Sequence, residues 1–225
     1  MADDTIRPTA PIADPAPLGL GAFALATFIL SAHNAGWAPD LVWIGPALFY
    51  GGLAQFLAGM WEFRNRNTFG STAFTTYGAF WLSLAGFILL DVFGKVPADV
   101  NVAHALGWFV LAFAIFNTYM LLWSLTVNRA VFAVFLTLEI TEILLFIGFF
   151  AGQAAGHGLV RVGGLVGVLT ALVAWYASAA GVANAMAERP VVAVGRPLWD
   201  LSSGLTRPGS PMPRMGTTGG PSEAH

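Results

Sequence analysis

The chain has 225 residues, of which 56% are hydrophobic and only 10% charged, and its mean hydropathy is +0.70. Soluble domains carry about a quarter charged residues, so a water-soluble fold of this length could not cover its surface with so few. The net charge of −2 offers nothing to attract nucleic acid, and the absence of cysteine excludes disulfides, thiol chemistry and Cys-ligated metals.

The N-terminal stretch Met1 to Pro17 carries Asp3, Asp4, Arg7, Asp14 and four prolines. It lacks the basic n-region and short apolar h-region of a signal peptide. Asp14-Pro15 reads as an N-cap followed by proline at the first helical position. Six apolar blocks follow: Leu18 to Trp37, Leu41 to Trp61, Thr72 to Phe93, Val102 to Leu125, Ala130 to Gly152, and Leu159 to Val182. Each is about 20 residues long, enough to cross a hydrocarbon core of about 30 Å. They are continuous runs without period-2 alternation, so they predict helices rather than barrel strands. The breaks Ala38-Pro39-Asp40 and Thr126 to Arg129 are short and force antiparallel neighbours. The expected fold class is therefore all-α, a polytopic integral membrane protein with six transmembrane helices. Residues 1–17 form a cytoplasmic N-terminal segment, 18–183 the transmembrane domain, and 184–225 a flexible cytoplasmic tail rich in Gly, Pro, Ser and Arg.

With six spans, both termini share a side with the second-to-third and fourth-to-fifth loops. That side holds Arg7, Arg64, Arg66, Arg129, Arg189, Arg196, Arg207 and Arg214, against Lys95 and Arg161 on the other. The asymmetry places both termini in the cytoplasm of a cell that carries this protein in its inner membrane. Trp37, Trp43, Trp61, Trp108 and Trp199 lie near block ends, where indoles anchor at the interface. Gly148, Gly152, Gly156, Gly163 and Gly167 recur at spacings that let helices approach closely.

Ionisable residues at bilayer depth are costly and point to function. The fifth block holds Glu139 and Glu142, at i and i+3 on neighbouring parts of one face, with no basic residue in any block's middle to neutralise them. A carboxyl there that exchanges a proton suits proton-coupled transport; alternatively it lines a wet vestibule or a subunit contact. In the first block Phe23, Thr27, Leu30 and Asn34 fall within roughly 60° on one helical face, with Ser31 beside them. Such a stripe fits a pore lining for a small anion or neutral acid, and equally fits interhelical hydrogen bonding. Gln55, Thr75 and Thr76 add further hydrogen-bonding groups, as do Asn117 and Thr118. His33 and His104 sit near block ends, where an interfacial role is the commoner one. No HExxH or other ligand spacing suggests a metal, and no cofactor motif appears.

The stretch Asp14-Pro15-Ala16-Pro17-Leu18-Gly19-Leu20 closely resembles the Asn-Pro-Ala-Pro-Leu-Gly-Leu signature of the acetate uptake transporter family, which includes the bacterial succinate–acetate permeases. His33-Asn34, Phe49 to Gln55, Ala58-Gly59, Glu62, Asn67 to Gly70, Thr72 to Gly78 and Phe80-Trp81 match as well. The resemblance is specific over the first three blocks and rests on hydropathy and length over the last three. It implies a six-helix protomer, assembly as a homohexamer within membrane lipid, and a pathway for acetate in each protomer. It further implies a constriction of one Phe, one Leu and one Tyr, which fall on Phe23, Leu138 and Tyr77. Leu138 and Glu142 then share a face at i and i+4, which favours Glu142 over Glu139 as the pore-facing carboxyl. The sequence departs from the family pattern at Asp14, where the signature has Asn, and at Glu139 and Glu142, where apolar or hydroxyl residues are expected.

The expected function is transport of acetate or a related monocarboxylate, in which Thr27, Asn34, Gln55, Thr75 and Thr76 hydrogen-bond the substrate. A channel for a neutral solute such as urea or a short amide is the alternative, since paired membrane carboxylates suit a neutral substrate. A membrane sensor would need a signalling domain, and a membrane enzyme a nucleophile–base pair; neither is visible.

Overall fold

The computed structural model describes residues 12–200. The expectations that fall on Arg7, Arg207, Arg214 and the rest of 1–11 and 201–225 lie outside the described residues. Among the described residues every regular element is a helix.

Helix α1 spans Ala16–Asn34. The next run is composite: α2 (Ile44–Pro46), a π-helical segment (Ala47–Ala54) and α3 (Gln55–Arg64) follow one another without a break. Then come α4 (Thr68–Val92), α5 (Val102–Ser124), α6 (Arg129–Phe150) and α7 (Gly158–Ala187). Five of these helices are long and apolar enough to cross a membrane: α1, α4, α5, α6 and α7. The second expected span, Leu41 to Trp61, is the composite run. Its π-helical stretch replaces the single α-helix that hydropathy suggested.

Capping explains where the helices start. Asp14 was expected to be the N-cap of α1, but Pro15 takes that position and the helix opens at Ala16; Asp14, one residue earlier, accepts from Ala16 N through Oδ1 at 2.9 Å. Asn67, Asn101 and Asn128 stand immediately before α4, α5 and α6. Each accepts, through its side-chain oxygen, from the backbone N–H three residues on, at 2.9 to 3.0 Å. These bonds satisfy donors that a helix N-terminus leaves orphaned.

Helix α7 packs on both α1 and α6, α6 on α5, and α3 on α4. Without a hydrophobic force between helices in lipid, such contacts depend on close van der Waals approach. The glycines divide by this need. A Cβ on Gly164 would lie 2.7 Å from Ser31 O on α1, one on Gly148 would lie 2.8 Å from Val160 on α7, and one on Gly78 would lie 2.6 Å from Phe56 N on α3. Gly152 and Gly156 belong instead to the α6–α7 turn, with φ of +68° and +79°.

The outer surface is apolar: Phe49 is 71% exposed and Ile115 63%. A face of this kind is what lipid or another apolar surface covers. Trp37, Trp61, Trp108 and Trp199 are exposed as expected of anchors, but Trp43 is not. It is 3% exposed, packed with Ile44, Ala47, Trp81 and Leu84. The composite second run turns Trp43 inward, which block position alone did not show.

The segment after α7 is tied down as far as the described residues go. Asn184 Oδ1 accepts from Val191 N and Val192 N at 2.8 Å each, and its Nδ2 donates to Val192 O at 2.9 Å. Tyr176 Oη donates to Ala193 O. Ala130 N donates to Val194 O at 3.0 Å, and Leu198 N and Trp199 N both donate to Leu125 O. Trp199 stacks on Trp123 with a 6° interplanar angle. Where composition suggested a flexible tail from residue 184, α7 runs to Ala187 and residues 190–199 form a strap across the ends of α7, α6 and α5. The backbone bonds that hold the strap to the helix ends leave no mark on composition.

Candidate functional site

Two cavities open from opposite ends of the bundle. The first, about 340 Å³, lies toward the Asn34 end. The second, about 470 Å³, lies toward the Asp14 end and includes Asn67, Asn128 and Asn184 in its wall. The floor of the first contains Phe23, Tyr77 and Leu138. The wall of the second contains Leu20, Ala73 and Phe135. On α1, α4 and α6 these two sets are three or four residues apart, about one helical turn or roughly 5.4 Å. A single turn of three helices therefore separates the cavities.

That layer is closely packed, aromatic and aliphatic. Phe23, Tyr77 and Leu138 are 4%, 3% and 6% exposed and share one packed cluster with Ala24, Ala73, Met120 and Phe135. Phe23 meets Tyr77 edge to face with centroids 5.6 Å apart. Tyr77 also packs against Phe80, Phe113, Phe116 and Phe135. Edge-to-face contacts of this sort add about 0.5–1.5 kcal/mol each beyond burial, so the ring of Tyr77 is held from several sides.

A buried polar chain runs behind the layer. Tyr77 Oη lies 2.9 Å from Asn117 Oδ1 and 3.3 Å from Glu142 Oε1. Asn117 Nδ2 donates to Phe135 O at 3.0 Å and to Glu139 Oε2 at 2.6 Å. Thr118 Oγ1 lies 2.8 Å from Glu139 Oε1 and 2.9 Å from Ala114 O. The two carboxyls therefore differ. Glu142 is 4% exposed, lines the first cavity and has no partner at Oε2. Glu139 is partly exposed, sits between α5 and α6, and lines neither cavity.

The other expected site residues separate in the same way. Thr27, Ser31 and Asn34 line the first cavity together, and Thr27 Oγ1 is buried without a partner. Thr141, one residue before Glu142, also lines it and lies 3.3 Å from Thr170 of α7, hydroxyl to hydroxyl. Gln55, Thr75 and Thr76 line neither cavity. Gly59 lets α3 come so close to α4 that its missing side chain would meet Thr75, which turns that hydroxyl into the helix contact and away from both cavities. Gln55 is 1% exposed in the same region. The signature residues Asp14, Ala16, Pro17 and Leu20 line the second cavity. Ser178 of α7 donates to Pro17 O at 2.6 Å, and a Cβ on Gly19 would lie 2.7 Å from the Phe74 ring. The stretch thus fits the α1 entrance tightly against α4 and α7. His33 stands at the mouth of the first cavity with Nε2 3.5 Å from Asp40 Oδ1. Asn117 had been visible only as one more polar residue, and its bridging role emerges once α4, α5 and α6 are brought together.

Comparison with known proteins places this architecture. Residues 4–194 match the model of the GPR1/FUN34/yaaH family. Two Saccharomyces cerevisiae proteins, accumulation of dyads protein 2 and ammonia transport outward protein 2, are 44% and 42% identical over 79% of this chain. The chain spans 64% of the length of each. The Escherichia coli succinate-acetate/proton symporter SatP is 37% identical over 82% of this chain and 96% of its own. A solved structure described as that of the bacterial acetate channel SatP superposes with a TM-score of 0.76 at 37% identity, covering 82% of this chain and all of that one. The fold, the apolar spans and these matches agree: the chain belongs to the GPR1/FUN34/yaaH family.

Proposed function

We propose that this protein carries acetate or a closely related small monocarboxylate through a pathway within each protomer, gated by Phe23, Tyr77 and Leu138. The observation that carries this reading is the pair of cavities meeting from opposite ends on either side of one aromatic and aliphatic turn. A closely packed layer of that kind excludes hydrated ions by dewetting. Thr27 and Asn34 supply polar contacts on the Asn34 side of the gate. Glu142, the carboxyl facing the cavity, is the proton-bearing group that keeps substrate passage neutral, and Glu139 stands beside it on α6. The names of the bacterial relative and of the matching structure support acetate as substrate. The protein sits in the inner membrane as a homohexamer, with both termini cytoplasmic. The Asp14 end gathers Arg64, Arg66, Arg129, Arg189 and Arg196 at helix ends, in keeping with that orientation.

The test is uptake of labelled acetate into proteoliposomes holding the purified chain, against empty liposomes, with and without an inward proton gradient. Unlabelled acetate, urea and ammonium serve as competitors. Uptake above the control that acetate alone competes supports the carboxylate pathway, and gradient-driven accumulation supports coupling. No protein-dependent acetate flux, with urea or ammonium passing, would replace the carboxylate reading by a neutral-solute or ammonia pathway on the same scaffold.

A further inference from the structure

Hydrogen accounting in the buried chain behind the gate identifies the atom that holds the proton. The carbonyl of Phe135 can only accept, so the Asn117 group 3.0 Å from it is the amide nitrogen. Turning the amide over would set its oxygen against both Phe135 O and Glu139 Oε2. With the nitrogen there, Asn117 Oδ1 faces Tyr77 and can only accept. A phenol has one hydrogen, and the shorter contact, 2.9 Å, takes it to Asn117. The remaining 3.3 Å contact between Tyr77 Oη and Glu142 Oε1 is then one to which only Glu142 can bring a hydrogen.

The alternative fails twice. If Tyr77 donated to an ionised Glu142, two oxygen acceptors would face each other at 2.9 Å. The carboxylate would also keep Oε2 buried with no donor at all, a costly place for charge. Glu139 is different: Asn117 Nδ2 donates to its Oε2 at 2.6 Å. The titratable groups around Glu142 are few. Glu139 shares its helix, Tyr77 faces it from α4, and the other titratable side chains lining the first cavity are His33, Asp40 and Asp91.

We propose that Asn117 is a positioning residue which, by holding the Tyr77 hydrogen, keeps Glu142 a neutral acid with its Oε2 presented to the cavity as an acceptor. The ligand that such an acceptor selects carries a donor: the undissociated monocarboxylic acid, or an isosteric short amide, rather than the carboxylate anion. Thr27 Oγ1, buried in the wall of the same cavity without a partner, is free to donate to the ligand's carbonyl. This inference rests on the pathway reading and names the protonation state in which the substrate meets the gate. It also removes the conflict between membrane carboxylates and an acidic substrate, since no step brings two anions together.

The test is infrared spectroscopy of the reconstituted protein near neutral pH, reading the C=O stretch of protonated carboxyls. Glu142→Gln should remove a band that Glu139→Gln keeps. The fully buried Glu62, at the other end of the bundle, is common to all variants and cancels in the differences. Asn117→Leu should lose or shift the same band, because Tyr77 is then free to donate to Glu142. Tyr77→Phe, which keeps the ring, should shift it by removing the acceptor. Loss of the band in Glu139→Gln rather than Glu142→Gln, or a band that neither the Asn117 nor the Tyr77 variant moves, overturns the assignment. In proteoliposomes, acetamide should compete with labelled acetate. Protein-dependent acetate uptake that acetamide leaves untouched overturns the ligand assignment while the pathway reading stands. Absence of any protein-dependent acetate uptake fails the pathway reading itself, and the infrared result still decides the state of Glu142.

Discussion

Phe23 of α1 and Tyr77 of α4 meet edge to face at 5.6 Å, and together with Leu138 of α6 they fill the turn between two cavities. If that turn is the gate, shrinking one member opens it. Phe23→Ala is expected to raise acetate flux and to admit larger acids, because the cavities would join. Removing a buried Phe side chain also costs about 3–5 kcal/mol where the site cannot collapse. The measurement is therefore paired: flux in proteoliposomes, and assembly by size-exclusion chromatography. Unchanged flux and selectivity in well-assembled Phe23→Ala would take Phe23 out of the gate.

Close helix approach gives a sharper stability prediction. A Cβ on Gly78 would lie 2.6 Å from Phe56 N and 2.7 Å from its Cα, both backbone atoms that cannot swing aside. Gly86, two turns on along the same helix, has nothing within 4 Å. Gly78→Ala should destabilise the protein by about 1–3 kcal/mol through overpacking. Gly86→Ala should be neutral or slightly stabilising, since alanine is the better helix former. Thermal unfolding in one detergent compares them directly, and equal midpoints would show that α3 and α4 do not approach this closely.

Much of this arrangement was legible in the sequence because lipid imposes a simple rule. A spanning segment must satisfy its backbone internally and show apolar side chains outward, so α1, α4, α5, α6 and α7 could be located from hydropathy, though α7 runs to Ala187, five residues past the expected end at Val182. The facing of Thr27 and Asn34 followed from helical periodicity. What hydropathy did not carry was direction around the second run. The π-helical segment shifts the register before Gln55, and the close contact at Gly59 turns Thr75 toward α3. Nor did hydropathy show that Trp43 packs inward against Trp81 and Leu84. Asn117 was unreadable because its role depends on three helices at once, and no spacing within α5 encodes Tyr77 or Glu139.

The asparagine caps carry a prediction that hydropathy could not have made. Asn128 is the last residue before α6, the helix that supplies Leu138 and Glu142, and accepts from Val131 N at 2.9 Å. Asn128→Ala should cost about 0.5–2 kcal/mol, and Asn128→Asp, which keeps the accepting oxygen, should cost less. The check is thermal stability of both variants. An alanine variant as stable as the parent would mean that other groups satisfy the α6 terminus.

Asn184 makes three hydrogen bonds to the backbone of Val191 and Val192, and so joins the end of α7 to the strap. Val194, a few residues along that strap, lines the second cavity. Asn184→Ala removes all three bonds at once and leaves α7 otherwise intact, because alanine favours the helix. The strap should then open locally at much lower free energy than the bundle, the behaviour expected of a segment held mainly by hydrogen bonds. Thermolysin, which cuts on the N-terminal side of accessible apolar residues, reports this within Val191 to Val194. Cleavage there should be several-fold faster in Asn184→Ala than in the parent, while the bundle resists. Equal cleavage rates would show that Tyr176, Ala130 and the Trp123–Trp199 stack hold the strap without Asn184. If faster cleavage is accompanied by faster acetate flux, the strap also limits access to the second cavity; if flux is unchanged, it serves only to tie the three helix ends together.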